Sequence, residues 1–129
     1  MGQNNKGGPA DMVENRRLAE SAAVLVYATF PSSETAAAAG RALLEARLAA
    51  CINILPAMTS IYRWKGVIES ASEAVLLAKL PPQLAKAAVD CIVAAHPYET
   101  PAVLVIPVLA GAAAYLDWIR AETAPPEQT

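Results

Sequence analysis

Two cysteines, one histidine and one phenylalanine are all that 129 residues contain of those types. Cys51 and Cys91 are too few for a disulfide-stapled secreted scaffold and wrongly spaced for a zinc ribbon or a CxxC redox pair. A reducing compartment, the cytoplasm, is the expectation. A single histidine excludes a histidine-rich metal cage built from one chain. Charge is scarce: ten Lys and Arg face twelve Asp and Glu, for a net charge of −2, which argues against a basic nucleic-acid-binding surface. The Lys/Arg-Gly-Phe-Gly-Phe type of strand that marks RNA-recognition modules is absent as well. Met1–Ser21 lacks an apolar signal-peptide core, and no charge-free apolar run reaches the roughly 20 residues of a bilayer span.

What the chain has in excess is apolar side chain, 55 % of its residues. Disorder of the body is thereby excluded, since that state needs low hydrophobicity and high net charge. A chain of this length predicts one domain that buries roughly two-thirds of its unfolded surface. So high an apolar fraction leaves more greasy surface than one protomer can cover, and an oligomer is expected.

Residues 1–21, with Gly7-Gly8-Pro9 and a charged stripe of Glu14, Arg16, Arg17 and Glu20, read as a flexible extension that allows a short helix. The domain is expected over 22–123 and a loose tail over 124–129. Ala22 to Phe30 is an apolar run that predicts a first buried strand. Pro31-Ser32-Ser33-Glu34 offers a hydroxyl cap and an early acid, predicting a helix to about Leu48. From Cys51 to Trp64 the pattern is a long strand, with a bulge or bend at Pro56 and with Ser60, Tyr62 and Trp64 sharing one face. Lys65-Gly66 suits a two-residue hairpin turn into a strand from Val67 to about Leu80, where Glu73, Val75, Leu77 and Lys79 fall in register. Pro81-Pro82 opens a second amphipathic helix, which ends at His96-Pro97 because a residue before proline leaves the helical region. Ala102 to Val108 reads as a last strand, and Tyr115, Trp118 and Ile119 form the seam of a terminal helix. The order β-α-β-β-α-β plus a C-terminal helix is the α+β, ferredoxin-like pattern.

Four blocks are specific: Leu48-Ala-Ala-Cys-Ile-Asn53, Ser60-Ile-Tyr-Arg-Trp-Lys-Gly-Val-Ile-Glu69, His96-Pro-Tyr-Glu-Thr-Pro101 and Tyr115-Leu-Asp-Trp-Ile119. In that order they resemble the CutA family of divalent-cation tolerance proteins over about residues 23–123. The resemblance implies a ferredoxin-like protomer in a tight homotrimer, similar to the PII signalling proteins, with long hairpins wrapped between neighbours. It also implies a link to copper tolerance and copper binding, and no reaction, so no catalytic residue and no required cofactor are expected. In relatives credited with copper ligation, a first-strand thiol and a doubled histidine hold the ion. The matching positions here are Tyr27 and Ala95-His96, so of that set only His96 is kept.

His96 therefore stands between two readings, a rim or capping histidine at a helix C-terminus and a metal ligand joined by Glu99. Tyr98 and Glu99 lie in a loop stiffened by Pro97 and Pro101: either the prolines simply end the helix and start a strand, with Glu99 pairing to a neighbouring base such as Arg63 or Lys79, or His96, Tyr98 and Glu99 line an inter-subunit cleft. In the second reading that cleft comprises Asn53, Lys79, His96, Tyr98 and Glu99. Tyr62, Trp64 and Trp118 are the expected trimer contacts, because large aromatics dominate interfaces by buried area. Cys91 falls on an apolar helical stripe and Cys51 in an apolar run, both consistent with packing positions. The acylphosphatase variety of this fold is excluded, since Thr29-Phe30-Pro31-Ser32-Ser33 carries neither the arginine nor the glycine of its anion cradle. Two functions remain: a divalent metal ion or small ligand bound in the inter-subunit cleft, or a PII-like scaffold trimer that docks a protein partner.

Overall fold

A computed structural model describes Met12 and residues 16–126. Its elements in chain order are a helical turn α1 (Arg16–Ala19), β1 (Ala23–Phe30), α2 (Ser33–Glu45), β2 (Cys51–Trp64), β3 (Val67–Leu80), α3 (Ala85–Ala95), β4 (Val103–Val108) and α4 (Ala113–Thr123). Of the charged stripe expected to favour an N-terminal helix, Glu14 lies outside the described residues. Met12 and Leu18 pack against the core, so part of the N-terminal extension is tied to the domain.

The four strands form one antiparallel sheet in the order β2-β3-β1-β4. Side chains alternate along each strand, so the sheet has two faces. Val24, Val26, Ala28 and Phe30 of β1 and Ala74, Leu76, Ala78 and Leu80 of β3 point to one face, where they meet Ala36, Ala39 and Leu43 of α2 and Ala88, Val89 and Ile92 of α3. This face is the core. The opposite face carries Leu25, Tyr27, Leu77, Asn53 and Lys79, with Leu55, Leu104 and Ile106 left 52 %, 60 % and 41 % exposed. The expected greasy surface is thus concentrated on one side of the sheet.

Local chemistry explains the element ends. Ser32 caps α2 by accepting from the Thr35 amide while the Thr35 hydroxyl accepts from the Ser32 amide, a reciprocal capping box. The helix stops at Glu45, three residues short of the expectation, because Arg47 adopts φ 57 and the Leu48 amide turns back to the Leu43 carbonyl. That is a Schellman stop, with arginine where glycine is usual. The Arg47 side chain reaches the carbonyls of Glu122 and Ala124 and so neutralises the C-terminal end of α4. The bulge at Pro56 is present: Leu55 faces Val75 but Met58 faces Glu73, and Ala57 takes φ 57. The extra residue swaps parity, so Cys51, Asn53 and Leu55 before it share a face with Met58, Ser60, Tyr62 and Trp64 after it. Lys65 and Gly66, at φ 52 and 81, form the two-residue hairpin turn.

Candidate functional site

His96 ends α3 in an extended conformation, as the following proline requires, and its ring swings back under the end of β1. The imidazole is 3 % exposed. Its Nδ1 accepts the Tyr98 amide at 3.2 Å and its Nε2 lies 2.6 Å from the Thr29 carbonyl oxygen. A backbone amide only donates and a carbonyl only accepts, so this pattern assigns the neutral tautomer with the proton on Nε2. The ring stacks on Phe30 at 4.3 Å between centroids and tilts against Tyr98 at 4.8 Å. Both nitrogens are therefore committed to backbone, and the residue pins the loop 96–101 to β1. A metal could take either nitrogen only at the cost of one of these bonds.

The pinned loop delivers Tyr98 to the open face of the sheet, where its hydroxyl donates to Glu73 Oε2 at 3.5 Å. Glu73 is 9 % exposed, an acid largely removed from water. Burial, then the Glu73 charge and its hydrogen bond, then Tyr62, push the Tyr98 phenol above its ordinary pKa. Met58 sits opposite Glu73 across the β2–β3 ladder and accepts the Tyr27 hydroxyl at 3.9 Å. Glu99 is half-buried beside this group in the chain.

The other residues singled out in the sequence fall elsewhere in the protomer. Lys79 projects from the same face of β3 as Glu73 but six residues along, about 20 Å away at the usual strand rise. Its ammonium lies over the Tyr115 ring, 5.5 Å from the centroid. Asn53 is exposed in the middle row, paired across the ladder with Leu77. Tyr62 and Trp64 are half-buried on the hairpin, on the same face. The terminal-helix seam divides: Ile119 is buried, whereas Tyr115 and Trp118 stack on each other at 5.6 Å and remain exposed. Cys51 and Cys91 are unpaired and half-buried, and burial pushes the Cys91 thiol up, away from the reactive thiolate.

Glu73 is the residue that sequence reasoning missed as a site group. Its phase with Lys79 along β3 is legible in the sequence, but its burial and its contact with Tyr98 arise only in the folded sheet. Among the described residues no three His, Cys, Asp or Glu side chains gather where they could hold a metal ion. One protomer supplies a phenol and two carboxylates near one another in the chain or in space, too few donors for a closed site. No helix among the described residues is long and apolar enough to cross a membrane.

Comparison with known proteins adds identity to this geometry. Human "Protein CutA" is 42 % identical over 97 residues, 75 % of this chain and 54 % of its own length, so the chain spans about half of that relative. The "Divalent-cation tolerance protein CutA" of Thermus thermophilus is 41 % identical over 99 residues, 77 % of this chain and 96 % of its own length. Among solved structures, the one described as the periplasmic divalent cation tolerance protein CutA from Archaeoglobus fulgidus superimposes with a TM-score of 0.77. It is 36 % identical and covers 79 % of this chain and 99 % of its own. The family model for the CutA1 divalent ion tolerance protein matches residues 24–122, and the chain belongs to that family.

Proposed function

We propose that the chain acts in divalent-cation tolerance as a homotrimer whose inter-subunit cleft takes up a divalent cation, copper being the ion to test first. The cleft forms on the open sheet face at the end that carries Glu73, Tyr98 and Glu99. The observation that carries this reading is Glu73: an acid 9 % exposed, held among the described residues by one long contact from Tyr98, beside apolar side chains that await a cover. A buried carboxylate calls for a compensating cation or donors. Because one protomer lacks three ligating side chains in one place, the remaining ligands come from a neighbour or from the incoming ligand. His96 serves this site as a brace that fixes the loop. Tyr62, Trp64 and Trp118 supply aromatic area to the subunit contacts. A reducing compartment suits the two unpaired thiols, and we assign the protein to the cytoplasm on that ground.

A second reading is favoured by His96 itself. With both ring nitrogens engaged, the nitrogen donor expected for copper is occupied, and a trimer that docks a protein partner in the PII manner needs no metal.

Native mass spectrometry with and without one equivalent of Cu(II) per chain separates the two. The first reading expects a trimer that gains copper in defined steps, and Glu99→Gln is expected to lower the uptake. A trimer that ignores copper overturns the cation site and leaves the docking platform, and a monomer overturns both.

A further inference from the structure

Two opposite charges stand on the open face of β3, separated by Val75 and Leu77 on the same side. Among the described residues Glu73 has one hydrogen-bond partner, the Tyr98 hydroxyl at 3.5 Å, long for a hydrogen bond to a carboxylate. Lys79 is half-buried, with its ammonium over Tyr115, and among the described residues it makes no ion pair. Leu25, Leu55, Leu104 and Ile106 surround the two charges with exposed or half-buried apolar surface. Within one chain the two cannot meet, since six residues of strand hold them about 20 Å apart.

Covering this face with any apolar surface would bury both charges uncompensated, a costly outcome for each. A second copy of the same face solves both problems at once. Placed head to tail, it sets the lysine end of one protomer against the acid end of the next, and such heterologous contacts close into rings. We propose that in the assembled, cation-free protein Lys79 of one copy pairs with Glu73 of the next, the ammonium supplying in trans the positive charge that a bound divalent cation would otherwise bring to the Glu73–Tyr98 site. The pairing rests on the assembly proposed above and specifies its register: two like-charged ends brought together would be repelled. It also unites the two halves of the expected cleft, Lys79 on one side and Tyr98 and Glu99 on the other, which a single protomer keeps apart.

Zero-length carbodiimide coupling tests the pairing directly, because an amide between Lys79 and Glu73 can form only between copies. The full-length chain is expected to give covalent oligomers in which mass spectrometry finds two β3 peptides joined through these residues. Lys79→Met is expected to abolish that link while native mass spectrometry still records the oligomer. As an independent arm, Glu73→Lys or Lys79→Glu alone is expected to weaken assembly at least about ten-fold on dilution, and the two together to restore it. An oligomer without the Lys79–Glu73 link, or an exchanged pair no better than the sum of its single changes, overturns the pairing alone. A monomer overturns the assembly as well.

Discussion

Replacing His96 by alanine separates a structural histidine from a metal ligand. The imidazole is 3 % exposed and satisfies two backbone groups, the Thr29 carbonyl and the Tyr98 amide. Its removal leaves both facing a void, and an orphaned buried donor or acceptor costs about 1–3 kcal/mol. Loss of the stack on Phe30 adds about 0.5–1.5 kcal/mol beyond area burial. Water entering the vacated space recovers part of the first term, so His96→Ala is expected to lose about 3–5 kcal/mol of stability. His96→Asn, whose amide oxygen can stand in for Nδ1 and receive the Tyr98 amide, is expected to lose about half as much. The assay is denaturant unfolding at fixed chain concentration, because oligomer stability depends on that concentration. It is run with a chelator present, so that metal linkage contributes nothing. A His96→Ala variant within about 1 kcal/mol of the parent under those conditions, yet deficient in copper uptake, would refute the brace and make His96 a ligand.

Gly40→Ala is expected to destabilise the protein by about 1–2 kcal/mol in thermal or chemical unfolding, despite alanine's better helix propensity. The new Cβ would lie 2.7 Å from Ile52 Cγ2, where α2 crosses β2, and Ile52→Ala should absorb the clash in a double-mutant cycle. Arg47→Ala is expected to be the worse of two changes by about 1 kcal/mol compared with Arg47→Gly, since both lose the contacts to α4 but only glycine accepts φ 57 without strain. Because the folded protein holds the Tyr98 proton more tightly than the unfolded chain does, stability falls as pH climbs above the ordinary tyrosine value of about 10. Tyr98→Phe should make that alkaline decline shallower, and Glu73→Gln should bring one tyrosinate absorbance step to lower pH.

Most of the fold was legible because its signals are local. The Ser32 cap, the Lys65-Gly66 turn and the proline after His96 each act within a few residues, and each sits where the sequence put it. The early stop of α2 was not legible, since it depends on an arginine held in a left-handed conformation while its side chain serves α4, 75 residues away. The site was legible in its residue types and not in its grouping. His96 and Tyr98 meet within one loop, but the partners that give them their roles, the Thr29 carbonyl and Glu73, come from two other strands and are recognisable only once the sheet is assembled.

A single chain understates the site. The bulge at Pro56-Ala57 carries a non-glycine residue at positive φ, a conformation that costs of order 1 kcal/mol. Its effect is to shift β2 by one residue, so that Met58, Tyr62 and Trp64 join Leu55, Leu77 and Leu104 on one face instead of turning to the other. Within the protomer that arrangement gains little, because Leu55 and Leu104 stay more than half exposed. The strain is compensated only if the continuous face is covered, so Pro56, Ala57 and the aromatic hairpin belong to the assembly as much as to the fold. Deleting Pro56 and Ala57 together, so that Met58 follows Leu55 directly, should accordingly put the two halves of β2 out of phase and split Leu55 from Met58, Tyr62 and Trp64 across the two faces of the sheet. Size-exclusion chromatography on dilution then reads a loss of the oligomer, and an intact oligomer would refute this role for the bulge.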